Sequence, residues 1–171
     1  MTGKKSRRKL KAGFTTGTAA AAAAKAAVLA LLGKHPPAEV RVALLTGDFI
    51  NIAVHGCSVE KAFTASATVI KDAGDDPDAT HRAEIGARVT LLKPEKGLVI
   101  SGGPGVGRVT RPGLEVAPGS PAAARHWNIA VKQLMLRREL TGAGGRLAAN
   151  SSFLCAVTAN GGVSGALVST P

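Results

Sequence analysis

The chain has 171 residues, of which 45% are hydrophobic and only 3% aromatic, and its formal net charge is +11. This length is enough for one domain whose hydrophobic core needs no metal or disulfide. With only two cysteines, the composition excludes a disulfide-rich scaffold. Every apolar run of about 18 residues is interrupted by charge, so the sequence predicts no membrane span.

The positive charge lies at the two ends of the chain. Residues 1–11 hold six basic and no acidic residues, residues 12–120 hold eleven basic and ten acidic, and residues 121–171 hold five basic and one acidic. We expect residues 1–11 to form a flexible basic arm. A nucleic-acid-binding protein stays open as an alternative, but the nearly neutral body and the single Trp disfavour it. We therefore expect no nucleic-acid partner.

The N-terminal arm resembles the layout of an export signal, because Arg7-Arg8 precedes an Ala/Leu-rich stretch. Lys25 interrupts that stretch, and no clean small-residue cleavage site follows Leu32. We therefore expect a cytoplasmic protein.

The first predicted element is a helix over residues 17–32. Thr15 to Thr18 supply capping hydroxyls, and the Ala-rich run that follows is the composition most favourable to a helix. Gly33 fits the left-handed position that ends a helix. Because its surface is almost entirely Ala, we expect this helix to be buried in close contact with a sheet.

Strands are predicted next along the chain, because alternating apolar residues are separated by turn residues at residues 39–46, 50–54, 61–71, 84–93 and 98–100. Regular β-α-β alternation is absent. The sequence therefore predicts a single α+β domain over residues 12–121, with a mainly antiparallel sheet packed on the Ala-rich helix. Residues 122–140 have moderate helical character, and residues 141–171 lack periodicity. We expect residues 122–171 to be an atypical tail whose last part packs poorly.

An acidic loop follows the predicted strand 61–71 and holds four carboxylates, from Asp72, Asp75, Asp76 and Asp78. Their order does not match a calcium-binding loop. The loop is either a capped turn or a site whose carboxylates orient a ligand or remove a proton. For a proton-removing carboxylate, crowding of like charges is expected to raise the pKa. His81 adjoins this loop and is the best catalytic candidate among the four histidines.

Two further segments are candidate binding sites. The glycine loop, residues 103–107, follows an apolar strand but does not lead into a helix, which disfavours a dinucleotide-binding loop. It is either a tight turn or a loop that lets backbone approach a ligand closely. The threonines at residues 15–18 either only cap the helix or also bind an anion at its N-terminus. The histidines and cysteines show no metal-binding spacing, so we expect no metal site.

Three segments in this order resemble the cobalt-precorrin-5B C(1)-methyltransferases, the CbiD family. They are Gly13-Phe14-Thr15-Thr16-Gly17-Thr18 with its Ala-rich helix, Val69 to Asp78, and Gly102 to Leu114. Each is weak alone, but the ordered set is specific. The resemblance runs from about Leu10 to Pro121, which is about the first third of a family-length protein.

The resemblance implies methyl transfer from S-adenosylmethionine to ring carbon 1 of an anionic tetrapyrrole in anaerobic cobalamin synthesis. Cobalt would enter only as part of this substrate. The implied catalytic residues are Asp72 and His81. The residues implied to bind the substrate or the methyl donor are Thr15, Thr16, Gly17, Thr18, Lys71, Asp75, Asp76, Gly103, Gly105, Gly107, Arg108 and Arg111. Among these, Lys71, Arg108 and Arg111 suit the acetate and propionate groups of the substrate.

Three features depart from the family pattern. Ala19 stands where members usually carry Cys, and Arg82 stands where Gly is usual. We expect the charge of Arg82 to pair with the acidic loop. The Asn-Pro-rich continuation expected after Pro121 is missing, which predicts a truncated or frameshifted chain with little activity. A non-catalytic fragment is therefore a further alternative.

Overall fold

A computed structural model describes residues 10–33, 35–44, 46–92, 98–107, 110, 118 and 152–160. These residues contain one helix and seven strands, and the strands form two sheets. In chain order they are α1 (Thr16–Leu31), β1 (Glu39–Ala43), β2 (Phe49–Ala53), β3 (Gly56–Lys61), β4 (Thr64–Ile70), β5 (Glu84–Leu92), β6 (Leu98–Gly102) and β7 (Ser152–Asn160). The predicted α+β class is confirmed. No helix in the described ranges has the length and apolar character needed to cross a membrane.

The helix α1 forms the centre of the core, as its composition predicts. Nine of its alanines are buried, from Ala19 to Ala30, together with Gly17 and Val28. It contacts β4 and β5 of the larger sheet and β1 of the smaller one. The sheet residues that face it are also small, including Ala65, Ala67 and Ala87. Small side chains on both surfaces let the helix backbone lie close to the sheet.

The larger sheet has the order β3-β4-β5-β7-β6 and is antiparallel except for the pair β6 and β7. The smaller sheet is a hairpin of β1 and β2, which correspond to the predicted strands 39–46 and 50–54. The predicted strand 61–71 corresponds to β4, which begins only at Thr64. Strand β3 was not predicted, and a two-residue turn at Ala62 and Phe63 joins it to β4. That turn lacks the Gly, Asn or Pro that usually marks a hairpin.

Strand β7 corrects the expectation of poor packing for residues 152–160, the part of residues 141–171 that the structure describes. It pairs with β5 on one side and with β6 on the other, and Cys155 and Val157 are fully buried. A strand that is paired along both edges and carries apolar residues toward both faces lacks the alternation used to predict strands. Residues 122–140, predicted to have helical character, lie outside the described residues.

Candidate functional site

The acidic loop, residues 72–80, packs directly on the segment that leads into α1. The Phe14 N–H donates to the Asp72 carbonyl at 2.8 Å, and the Asp75 N–H donates to the Lys11 carbonyl at 3.1 Å. Gly74 has a φ of +65°, and a Cβ there would lie 2.1 Å from the Lys11 carbonyl oxygen. Only glycine permits this approach, which holds the loop against the helix start.

A cleft of about 820 Å³ lies between these two segments, and we call it the α1 cleft. Eight of its lining residues precede or begin α1: Leu10, Lys11, Ala12, Gly13, Phe14, Thr15, Thr16 and Gly17. The others are Lys71, Ala73, Asp75, Asp76, Pro77 and Asp78. Two of the three segments singled out in the sequence therefore meet at one cleft, although they lie about 60 residues apart in the chain.

The helix start offers backbone donors to the α1 cleft. Thr15 caps α1, since its Oγ1 accepts from the Thr18 N–H at 3.1 Å, and Thr18 itself does not line the cleft. No acceptor for the N–H groups of Thr16 and Gly17 is found within the described ranges, and the first turn holds no acidic residue. The unpaired N–H groups and the helix dipole make this end favourable for an anionic group.

Asp72 does not have the raised pKa expected of a crowded carboxyl group. Its carboxylate accepts from the Lys11 Nζ at 2.6 Å and from the Gly74 N–H at 2.8 Å. The hydrogen bond from Lys11 is the main reason that the pKa of Asp72 is lowered, followed by that from Gly74. Donors to the ionised form thus outweigh repulsion from the neighbouring carboxylates, and the expectation of a raised pKa is wrong for Asp72.

Asp78 is the most strongly engaged carboxylate of the loop. It forms an ion pair with Lys71 and accepts from both the N–H and the hydroxyl of Thr80, at 2.7 and 2.6 Å. The hydrogen bond from Lys71 and then those from Thr80 lower the pKa of Asp78 to about 2. By contrast, the Asp76 side chain has no partner within the residues that the structure describes.

Lys71 was expected to bind substrate carboxylates, but its ammonium already has a carboxylate partner in the protein. The side chain is 1% exposed and pairs with Asp78. Lys71 therefore stabilises the acidic loop, a role that its position in the sequence did not indicate.

His81 accepts a hydrogen bond at its Nδ1 from the Ala73 N–H, at 3.0 Å. A neutral imidazole that accepts at Nδ1 carries its proton on Nε2. His81 therefore presents a donor to its surroundings. With Asp72, whose Oδ1 is 4.0 Å from Nδ1, it lines a second cleft of about 420 Å³.

Arg82 does not pair with the acidic loop as expected. Lys11 pairs with Asp72 and Lys71 pairs with Asp78, and no carboxylate in the described part of the chain forms an ion pair with Arg82. Its φ is +66°, a left-handed conformation that favours glycine. It lines the second cleft beside His81.

The glycine loop lies at the same end of the larger sheet as the acidic loop, but residues 103–107 do not line the α1 cleft. Instead they pack on β7: the Ala159 N–H donates to the Pro104 carbonyl at 3.2 Å, and a Cβ on Gly105 would lie 1.7 Å from the Ala159 carbonyl oxygen. The glycine loop therefore does not join the other two segments at this cleft, and its close backbone approach is to a strand. Arg108 and Arg111 lie outside the described residues.

Neither cysteine is in a disulfide: Cys57 is half-buried and Cys155 is buried. Burial raises the pKa of both thiols, that of Cys155 to about 12. In the part of the chain that the structure describes, no three His, Cys, Asp or Glu side chains group in a way that would hold a metal ion.

Comparison with known proteins gives a family match over most of the chain. The family model CbiD matches residues 3–147. The match therefore extends beyond Pro121, the expected end of the resemblance. No solved structure matches the chain.

Several curated relatives are named cobalt-precorrin-5B C(1)-methyltransferase. The protein of Salinispora arenicola is 50% identical over 113 residues, which are 66% of this chain and 29% of that protein. The protein of Desulfitobacterium hafniense is 47% identical over 119 residues, 69% of this chain and 30% of that protein. The protein of Methylorubrum extorquens is 44% identical over 132 residues, which are 77% of this chain and 35% of that protein. The chain thus spans about a third of the length of these relatives, and by the family match over residues 3–147 it belongs to the CbiD family.

Proposed function

We propose that this chain forms part of the binding site of a cobalt-precorrin-5B C(1)-methyltransferase. The reaction is methyl transfer from S-adenosylmethionine to ring carbon 1 of a cobalt-bearing tetrapyrrole, a cytoplasmic step of anaerobic cobalamin synthesis. The names of the curated relatives support this reaction. The chain spans about a third of the length of these relatives, so the role proposed for it is a contribution to ligand binding.

The observation that carries the proposal is the α1 cleft, where the helix start and the acidic loop meet. The N–H groups of Thr16 and Gly17 suit a carboxylate. The carboxylates of Asp75 and Asp76, which line the same cleft, suit an ammonium or hydroxyl group. S-adenosylmethionine carries a carboxylate, an ammonium and ribose hydroxyls, so its polar groups fit this set of donors and acceptors.

The methyl transfer depends mainly on the alignment of the methyl donor with the acceptor carbon. The sulfonium of the donor supplies an activated methyl group, so the protein has to hold the donor and the nucleophilic carbon in place. Asp72 and His81 are proposed from the sequence to handle a proton. The lowered pKa of Asp72 makes it a weak base, and the Nδ1 of His81 is occupied by the Ala73 N–H. The contacts therefore support binding roles for these residues better than proton abstraction.

The tetrapyrrole substrate needs cationic partners for its carboxylates. Arg108 and Arg111 are proposed for this role and lie outside the described residues. We add Arg82, because it lines the second cleft and has no ion-pair partner in the described ranges.

The test measures binding of S-adenosylhomocysteine, the product of the donor, to the purified chain by isothermal titration calorimetry. Asp76→Asn should weaken binding by at least about 10-fold, since a hydrogen bond to a charged group contributes about 1.5–3 kcal/mol. Asp48→Asn is the matched control, because Asp48 is a carboxylate in the turn between β1 and β2 and outside the cleft. Equal affinities for the Asp76→Asn and wild-type chains would contradict this placement of the donor. Binding of duplex DNA without binding of S-adenosylhomocysteine would favour the nucleic-acid alternative.

A further inference from the structure

A chain of hydrogen bonds crosses from the acidic loop to the helix start. Lys71 donates to Asp78, and Asp78 also accepts from the hydroxyl of Thr80 at 2.6 Å. The Thr80 Oγ1 lies 3.3 Å from the Oγ1 of Thr16, which is 64 positions away in the sequence. This contact joins the two segments that form the α1 cleft. Thr16 lines the cleft, whereas Thr80 does not.

The direction of these hydrogen bonds follows from the chemistry of the groups. Asp78 is ionised, so it only accepts, and the single hydroxyl proton of Thr80 is donated to it. Thr80 must therefore be the acceptor in its contact with Thr16, and Thr16 must be the donor. The described residues provide no other partner for the Thr16 hydroxyl. With its proton directed at Thr80, the Thr16 hydroxyl has only oxygen lone pairs to offer a ligand in the cleft that Thr16 lines.

We propose that Thr80, oriented by Asp78, is a positioning residue that holds Thr16 as a hydrogen-bond acceptor in the α1 cleft, so that the ligand group bound against Thr16 is a hydroxyl or an ammonium. The inference rests on the proposed function for the identity of the ligand. A ligand carboxylate at this point would face the lone pairs of Thr16 and find no donor. Carboxylate recognition is thereby left to the backbone N–H groups of Thr16 and Gly17, and the side chain of Thr16 discriminates between the polar groups of one ligand.

The test uses the full chain and S-adenosylhomocysteine as the probe. Asp78→Asn would leave the buried Lys71 ammonium without its counter-charge, so Thr80→Val and Thr16→Val are the primary variants. Both should weaken binding by about 3- to 10-fold, the usual worth of one hydrogen bond. Thr16→Ser keeps the hydroxyl and should restore wild-type affinity. Thr90→Val is the matched control, because Thr90 forms a similar hydroxyl contact with Thr64, at 3.2 Å, at the other end of β4 and β5.

Two analogues of S-adenosylhomocysteine identify the ligand group that contacts Thr16. One lacks the ribose hydroxyls and the other lacks the amino group. One of the two analogues lacks the group that donates to Thr16, and the wild-type and Thr16→Val chains should bind that analogue with equal affinity. The other analogue keeps this group, so the wild-type chain should still bind it more tightly than Thr16→Val does. A loss of affinity for Thr16→Val that is the same for both analogues and for the parent probe would overturn the inference, as would unchanged binding by Thr16→Val and Thr80→Val.

Failure of the proposed function gives a different result, because the wild-type chain would then not bind S-adenosylhomocysteine. In that case amide hydrogen exchange of the unliganded chain tests whether Thr80 positions Thr16. Thr80→Val should speed exchange of the Thr18 and Ala19 amides relative to Thr90→Val. Equal exchange in the two variants would overturn the inference.

Discussion

The buried ammonium of Lys71 pairs with the carboxylate of Asp78, which is one-third exposed. Lys71 immediately follows β4 and Asp78 lies seven residues later in the acidic loop, so the pair fixes the loop relative to the sheet. The same carboxylate binds Thr80, which contacts the start of α1. The geometry of the α1 cleft therefore depends on a charge pair between two of its lining residues.

Removing the charge of Asp78 should destabilise the chain. Asp78→Asn leaves the Lys71 ammonium buried without a counter-charge, and we expect the free energy of unfolding to fall by about 2–3 kcal/mol, below the value for a fully buried pair because Asp78 is partly exposed. Urea denaturation measures this change. The double variant Lys71→Met/Asp78→Asn should recover much of the loss, and a loss in the double variant as large as in Asp78→Asn would contradict the explanation.

Stability should depend on pH in the acid range. The pKa of Asp78 is lowered from its usual value of 3.8 to about 2 in the folded chain. A lowered pKa stabilises the folded state above the unfolded value, and this contribution is lost as the pH falls from about 4 to about 2. Urea denaturation at several pH values tests this, and Asp78→Asn should flatten the dependence. Identical pH profiles for the variant and the wild type would show that Asp78 is not responsible.

The left-handed conformation of Arg82 should be strained. At its φ of +66°, Arg82→Gly should be more stable than Arg82→Ala by about 1 kcal/mol, because a Cβ is unfavourable in this region. Comparing these two variants by thermal denaturation removes the contribution of the Arg side chain, which both lack. Equal stabilities would mean that residue 82 has a negative φ in solution.

The glycine loop should tolerate a methyl group at one position and not at another. Gly105→Ala places a Cβ 1.7 Å from the Ala159 carbonyl oxygen at a φ of +76°, so we expect a loss of more than about 2 kcal/mol. Gly107→Ala is the control, since nothing lies within 4 Å of its added Cβ. Urea denaturation distinguishes the two, and similar stabilities would contradict the packing of this loop on β7.

We expect the chain by itself to show little or no methyl transfer. It spans about a third of the length of the curated relatives, and a site for two large ligands normally needs a deep cleft, often between domains. A misplacement of about 1 Å can cost on the order of 100-fold in rate. The assay incubates the chain with cobalt-precorrin-5B and labelled S-adenosylmethionine. Turnover comparable to that of the Salinispora arenicola relative would contradict this expectation.

Local sequence was sufficient to predict the parts of the fold that depend on neighbouring residues. The Ala run and the capping threonine predicted α1, and alternation predicted the strands β1, β2 and β5. These features need no information from elsewhere in the chain, because capping and periodicity act over a few residues. The motifs also indicated the helix start and the acidic loop as candidate binding segments.

Only the tertiary structure decided what these segments contact. Strand β7 pairs with β5 and β6 across long stretches of sequence, and this pairing gives the glycine loop its partner. The contacts of Asp72 with Lys11 and of Thr80 with Thr16 each join residues more than 60 positions apart. They determine which carboxylates are already occupied and which hydroxyl faces the cleft as an acceptor. Such properties depend on three-dimensional proximity, which the periodicity of a short segment does not contain.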